Sequence, residues 1–145
     1  MGTRSRERQG ADSSDGSDQA HRRILVVDDD PTIRNILVQV LKLQGYEVES
    51  ASNGAEALEH CPGNSRPFDV LITDLMMPII GGRELIERVR VLQPDIRVVC
   101  LSATYSDTWL DLSVLFVPKP FSLRGIVAIV KSALEGTRWR KAETA

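Results

Sequence analysis

The sequence predicts an α/β domain, a doubly wound (βα)5 three-layer sandwich around a central five-stranded parallel sheet, and three observations carry that expectation. Short runs such as Ile24-Leu25-Val26-Val27 are almost continuously apolar, as strands covered on both faces must be. Segments with apolar residues at helical spacing alternate with these runs. Four of the runs end in reactive polar groups: Asp28-Asp29-Asp30, Asp74, Ser102 and Lys119.

Each element follows in order. Residues 1 to 20 are rich in Ser, Gly, Asp, Arg and Gln without apolar periodicity, which predicts a disordered tail, and order begins near His21 to Arg23. After the first strand, Pro31 suits an early helical position, and Ile33, Ile36, Leu37, Val40 and Leu41 share a face up to Gly45. Tyr46-Glu47-Val48-Glu49-Ser50 alternates as a short strand at the sheet edge. Asn53-Gly54 opens a brief helix marked by Ala55, Leu58 and Cys61, and 62–67 reads as a loop.

The third strand is Phe68-Asp69-Val70-Leu71-Ile72-Thr73, ending at Asp74. Gly81-Gly82 introduces a helix whose inner stripe is Leu85, Ile86, Val89 and Leu92, stopped near Pro94. The fourth strand starts near Ile96 and runs to Leu101. The polar-biased stretch Thr104 to Ser113 leaves room for only a shortened fourth helix. Val114-Leu115-Phe116-Val117 is the fifth strand, and Ser122 caps a last helix carrying Leu123, Ile126, Val127, Val130, Ala133 and Leu134, closed by Gly136. The ordered domain is thus 21–136, followed by a polar tail, 137–145, in which Trp139 stands among Arg138, Arg140 and Lys141 as part of a frayed terminus.

Length and composition bound the function. A chain of 145 residues is one domain, a size that buries roughly 68–70% of its unfolded surface. The net charge of −2 disfavours a nucleic-acid binder that relies on bulk positive charge. Two cysteines, Cys61 and Cys100, without a CxxC spacing predict buried apolar residues rather than a disulfide framework or a zinc site. No run reaches the roughly 18–20 apolar residues of a spanning helix, and the N-terminal stretch lacks an apolar signal core, so a cytoplasmic protein without membrane insertion is expected.

If the first and third runs are parallel strands of one sheet, Asp28, Asp29 and Asp74 meet at its carboxyl-end edge, where open α/β sheets place their sites. Carboxylates gathered there repel one another, and a divalent cation or a shared proton relieves that repulsion. The plain alternative for three aspartates before Pro31 is helix capping. Their position opposite Asp74 favours a site, and Asp30 alone is left to the cap. His21 and His60 are isolated from the acids. Gly81-Gly82 lacks the spacing of a dinucleotide fingerprint.

The strings Ile24-Leu25-Val26-Val27-Asp28-Asp29-Asp30-Pro31, Leu71-Ile72-Thr73-Asp74-Leu75-Met76-Met77-Pro78, Leu101-Ser102-Ala103 and Pro118-Lys119-Pro120-Phe121 together resemble the receiver domain of two-component response regulators. The likeness spans about residues 23 to 135. It implies a flavodoxin-like, CheY-like fold with strand order 2-1-3-4-5. It also implies Mg²⁺, or Mn²⁺, held by Asp28, Asp29, Asp74 and the carbonyl of Met76. By the same resemblance Asp74 is the nucleophile that accepts phosphoryl from a sensor histidine kinase or histidine phosphotransfer protein. Lys119 neutralises the phosphoryl group, Ser102 hydrogen-bonds it and Phe116 is the aromatic switch. The Lys119-Pro120 bond is then cis, and the downstream partner is another protein.

Such a domain assists its own phosphorylation and dephosphorylation without turning over an independent substrate. Two departures stand out. The interval from Ser102 to Lys119 is short, as in stand-alone or hybrid-kinase receivers, where a monomer or weak homodimer is expected. Ile79-Ile80 places two bulky apolar residues beside the acceptor, suited to kinase contact or to loop packing. Met76 has no group that orients a hydrolytic water. The competing readings are a phosphorylation-independent scaffold of the same fold, and a haloacid-type phosphatase, which requires an acid where Met76 stands.

Overall fold

A computed structural model of the chain describes residues 22–61, 66–102 and 114–135. The apolar runs become β1 (Arg23–Val27), β2 (Glu47–Ala51), β3 (Val70–Asp74), β4 (Arg97–Ser102) and β5 (Val114–Pro118). They pair in parallel in the order β2-β1-β3-β4-β5. Between them lie α1 (Pro31–Leu43), α2 (Gly54–His60) and α3 (Gly82–Leu92), and α4 (Leu123–Glu135) follows β5. The expected tails, 1–20 and 137–145 with Trp139, lie outside the described residues. So do His21, Gly136, 62–65 of the loop and the shortened helix expected at Thr104 to Ser113.

Alternation along the strands divides the core into two layers, because successive side chains point to opposite faces. Leu25, Val27, Leu71, Val98 and Cys100 pack with Ala57, Leu85, Ile86 and Val89 beneath α2 and α3. Ile24, Val26, Ile72, Val99 and Leu101 pack with Leu37, Leu41, Ile126 and Val130 beneath α1 and α4. Every residue of β1 and β3 is buried, which explains why those runs show no polar alternation. The edge strand β2 has an exposed and two half-buried positions, as its mixed sequence requires.

Helix starts follow their caps. Asp30 Oδ1 accepts from the backbone N–H of Thr32 at 2.9 Å, and Pro31 occupies the first helical position. Asn53 Oδ1 accepts from Glu56 N–H at 2.8 Å, while Glu56 Oε1 accepts from the N–H and hydroxyl of Ser52. Ser122 Oγ accepts from Gly125 N–H at 2.9 Å, confirming the expected cap of α4. Gly45 follows α1 with φ 99°, a conformation that a side chain would disfavour.

The inner stripes are narrower than the sequence suggests. Ile36, Leu92 and Leu123 are 43%, 49% and 40% exposed. Ile36 sits about 100° around the helix from the buried Leu37, and Leu92 and Leu123 are the last and first residues of their helices. In α2 the fully buried side chain is Ala57, with Ala55 and Leu58 only half-buried. Both cysteines are buried and free, as expected.

Candidate functional site

Pairing β1 with β3 sets Val27 beside Thr73, so the next residues, Asp28 and Asp74, emerge together at the carboxyl edge. Asp28 is fully buried, its N–H donating to Ala51 O and its Oδ1 accepting from Asp30 N–H at 2.9 Å. Asp29 is exposed and Asp74 is buried. One carboxylate oxygen from each of the three lies within 4.8 Å of the others.

The fifth strand delivers the counter-charge. Lys119 Nζ lies 3.3 Å from Asp28 Oδ2 and 3.2 Å from Asp74 Oδ2. Its N–H donates to Ser102 O at 2.8 Å, fastening the amine-bearing turn to the end of β4. The Lys119-Pro120 peptide is cis, as the resemblance implies. Ser102 is buried at the last position of β4. Phe116 is half-buried and packs on the α2/α3 layer beside Cys100, its register partner. Ser102 follows Cys100 by two residues and therefore faces the same layer.

Electrostatics mark the edge as unbalanced. Burial, reinforced by the charge of Asp74, pushes the Asp28 carboxyl above its ordinary range, against the opposing pull of Asp30 N–H and Lys119. For Lys119, burial is the largest single influence and works against the ammonium. The two carboxylates together outweigh it and hold its pKa above the usual lysine value. The ammonium reaches only two of the three carboxylates, and the Arg34 guanidinium, 2.8 Å from Asp28 O, meets a backbone carbonyl rather than a carboxylate. The cluster's donors are all hard oxygens, with no nitrogen or sulfur, and a buried carboxylate held against its desolvation cost is the kind of ligand a divalent cation satisfies. Asp28, Asp29 and Asp74 are positioned to coordinate a metal such as Mg²⁺. Met76 N–H donates to Asp74 Oδ1 at 3.3 Å, which bends the chain tightly around the acidic group.

The loop after Asp74 is fixed by two close approaches that sequence reasoning did not find. A Cβ on Gly82 would lie 2.3 Å from Asp74 O and 2.7 Å from Leu75 Cα, so only glycine lets α3 begin this near the site. A Cβ on Gly54 would lie 2.8 Å from Ile80 Cβ, so α2 also starts on a glycine to seat that side chain. Glycine before a helix was legible only as a start signal; the approach that demands it is tertiary. The two isoleucines part company. Ile80 packs on the core, whereas Ile79 is 76% exposed with φ 71°, a left-handed conformation that costs an L-residue about 1–2 kcal/mol.

His60 lies away from the acids, its Nδ1 2.8 Å from Glu49 Oε1. The residues brought together are thus Asp28, Asp29, Asp74 and Lys119, with Met76, Ser102 and Phe116 on the flanking segments.

A doubly wound sheet with clustered acids and a lysine at its carboxyl edge defines an α/β domain whose site can hold a divalent cation beside a reactive carboxylate. The family model described as "Response regulator receiver domain" matches residues 24–131, and the chain belongs to that family. It is 35% identical over 120 residues to the response regulator receiver protein CpdR of Brucella abortus, covering 78% of this chain and 97% of CpdR. It is 33% identical over 117 residues to the sensor kinase CckA of the same organism, covering 77% of this chain but 12% of CckA. Against other curated relatives, MprA of Mycobacterium ulcerans and NtrC of Azospirillum brasilense, it spans 54% and 24% of their lengths. Among solved structures, the response regulator TrrA of Thermotoga maritima in complex with Mg²⁺ and BeF is 38% identical with a TM-score of 0.62, covering 77% of this chain and 97% of TrrA.

Proposed function

We propose that the chain is a phosphoacceptor: Asp74 takes a phosphoryl group from a phosphohistidine on a sensor kinase or histidine phosphotransfer protein, and the modified domain changes its protein contacts. The observation that carries this reading is the approach of Lys119 Nζ to both Asp28 and Asp74 across a three-carboxylate cluster. An Asp74 oxygen attacks phosphorus as the bond to the donor imidazole breaks, the imidazole nitrogen keeping the electron pair. Lys119 neutralises a phosphoryl oxygen from the position it already holds. When bound by Asp28, Asp29, Asp74 and the Met76 carbonyl, Mg²⁺ supplies the remaining positive charge that lets carboxylate and phosphate approach.

Ser102 then donates its hydroxyl to a phosphoryl oxygen, drawing the end of β4 inward, and Phe116 on the same face repacks. Phosphate thereby biases a two-state equilibrium through contacts made in one state only. TrrA, a 38% identical response regulator, is seen with Mg²⁺ and BeF, which supports a divalent cation as a cofactor of the proposed reaction. We read 21–136 as the receiver domain. No helix among the described residues is long and apolar enough to cross a membrane.

Incubation with acetyl phosphate, with and without Mg²⁺, followed by intact mass tests the proposal. A single phosphoryl gained only with Mg²⁺, and absent in Asp74→Asn, is the expected result. No gain under either condition would indicate a phosphorylation-independent scaffold, and rapid turnover of phosphomonoesters would indicate a phosphatase.

A further inference from the structure

We propose that Ile79 is a contact residue for the protein that carries the phosphohistidine, a hydrophobic knuckle held rigid at the rim of the site and buried by the donor as it reaches Asp74. The inference rests on the phosphoacceptor reading of Asp74 and adds the surface that recognises the donor protein.

Conformation and exposure disagree at Ile79 if the chain is considered by itself. The residue has φ 71° and is 76% exposed, and neither core layer includes it. A β-branched side chain without a polar atom is the poorest choice for that backbone, where glycine or asparagine would sit without strain. Folding alone gives no return for keeping isoleucine there.

The neighbouring residue explains how the display is held. Ile80 packs inward against the first turn of α2, where Gly54 leaves just the space it fills. With Ile80 seated, the preceding side chain is directed outward on a fixed loop. A rigid apolar anchor loses little freedom on binding, which is what a recognition residue requires.

Position identifies the occupant. The loop begins at Leu75, directly after the acceptor, and Met76 N–H is 3.3 Å from Asp74 Oδ1. The Asp74 side chain is only 11% exposed. A donor imidazole must therefore descend into the edge, and the protein bearing it covers the rim. Met76, 70% exposed, and Pro78, also exposed, lie in the same loop. A small phosphodonor needs none of this surface.

Two donors separate the roles. Wild type, Ile79→Asn and Ile79→Leu are phosphorylated by acetyl phosphate, and by the fastest donor among the purified, phosphorylated histidine kinases and phosphotransfer proteins of the source organism. Leu43→Ala and Val91→Ala, at residues 83% and 80% exposed near the far ends of α1 and α3, serve as controls. All variants should react with acetyl phosphate at the wild-type rate. Ile79→Asn should lower the second-order rate from the protein donor about tenfold, a typical loss for an interface anchor, with its melting temperature unchanged or raised. Ile79→Leu should keep most of that rate, and the controls all of it. A wild-type rate in Ile79→Asn, an equal loss with both donors, or no protein donor despite reaction with acetyl phosphate would overturn the proposal. Failure of wild type with acetyl phosphate as well would instead remove the Asp74 reading itself.

Discussion

The two ends of the sheet handle buried charge in opposite ways. At the amino-terminal end, Arg23 is 4% exposed yet satisfied on every side. Its guanidinium pairs with Glu49 Oε2 at 2.5 Å and Glu47 Oε2 at 3.7 Å, donates to Arg66 O, and lies 4.3 Å from the centre of the Phe68 ring. Arg66 pairs with Glu47, His60 meets Glu49, and Arg23 N–H donates to Asp69 Oδ2. Beneath them Gln93 bridges Phe68 N–H and Cys61 O. At the carboxyl end, Asp28 is more deeply buried, and of three clustered carboxylates Lys119 pairs with two. The Arg23 network is completed within the fold; on the proposed reading, the carboxyl edge is completed by a cation and a phosphoryl group. That difference is the usual division between a scaffold and a site, which gives up some stability for preorganised charge.

The largest effect that would sharpen this contrast is on chemistry. Lys119→Ala should slow phosphoryl uptake from acetyl phosphate by roughly 10²–10³-fold, the loss expected for one electrostatic stabiliser, as read by the time course of intact mass. Arg23→Ala should do the reverse, lowering stability by about 2–3 kcal/mol in denaturant titration while leaving the rate of uptake by folded protein unchanged. Its partners Glu47 and Glu49 are half exposed and can rehydrate, which keeps the loss below that of a fully buried pair. A slowed rate in Arg23→Ala would mean that the two ends are coupled.

Gly82→Ala tests the seam between them. The added methyl meets backbone atoms of Asp74 and Leu75 that cannot swing aside, so a loss of about 1–3 kcal/mol together with slower uptake is expected.

Acid should act on the two ends with opposite sign, the smallest of these effects. Asp28 has a raised folded-state pKa despite its partners, so the folded protein binds its proton more tightly than the unfolded chain. Its contribution favours folding at low pH and falls away as pH rises from the ordinary aspartate range through the raised folded value. For Glu49, burial opposes ionisation most strongly, but hydrogen bonds from His60 and Arg23 outweigh it and hold the pKa low. Its contribution is present above the ordinary glutamate value and is lost as pH falls through the depressed one. Relative to wild type, Glu49→Gln should flatten the acid loss of stability and Asp28→Asn should steepen it, in unfolding curves collected from neutral pH downward.

Much of the carboxyl edge was legible because chemistry there is local in sequence. Each strand-end group follows an apolar run, so placing Asp28, Asp74, Ser102 and Lys119 required only that the runs be parallel neighbours. The amino-terminal network was not legible. Arg23, Glu47, Glu49, His60 and Arg66 come from β1, β2, α2 and a loop, share no local pattern, and individually read as ordinary surface charges. Helix faces were legible along the middle of each stripe, at Leu37, Leu85 and Val130, and misread at Ile36, which is rotated off the stripe, and at Leu92 and Leu123, which end their helices. The outward turn of Ile79 depends on the seat that Gly54 gives Ile80, a contact between elements that no spacing rule contains.

The central claim is that the carboxyl edge carries charge the fold alone does not neutralise, and thermal unfolding of wild type and Asp28→Asn with and without millimolar Mg²⁺ tests it most directly. Without metal, Asp28→Asn should be the more stable protein, by about 1 kcal/mol; with metal, the wild type should rise and the variant should not. An Asp28→Asn protein that melts below wild type without metal, or that gains as much from Mg²⁺, would contradict the account.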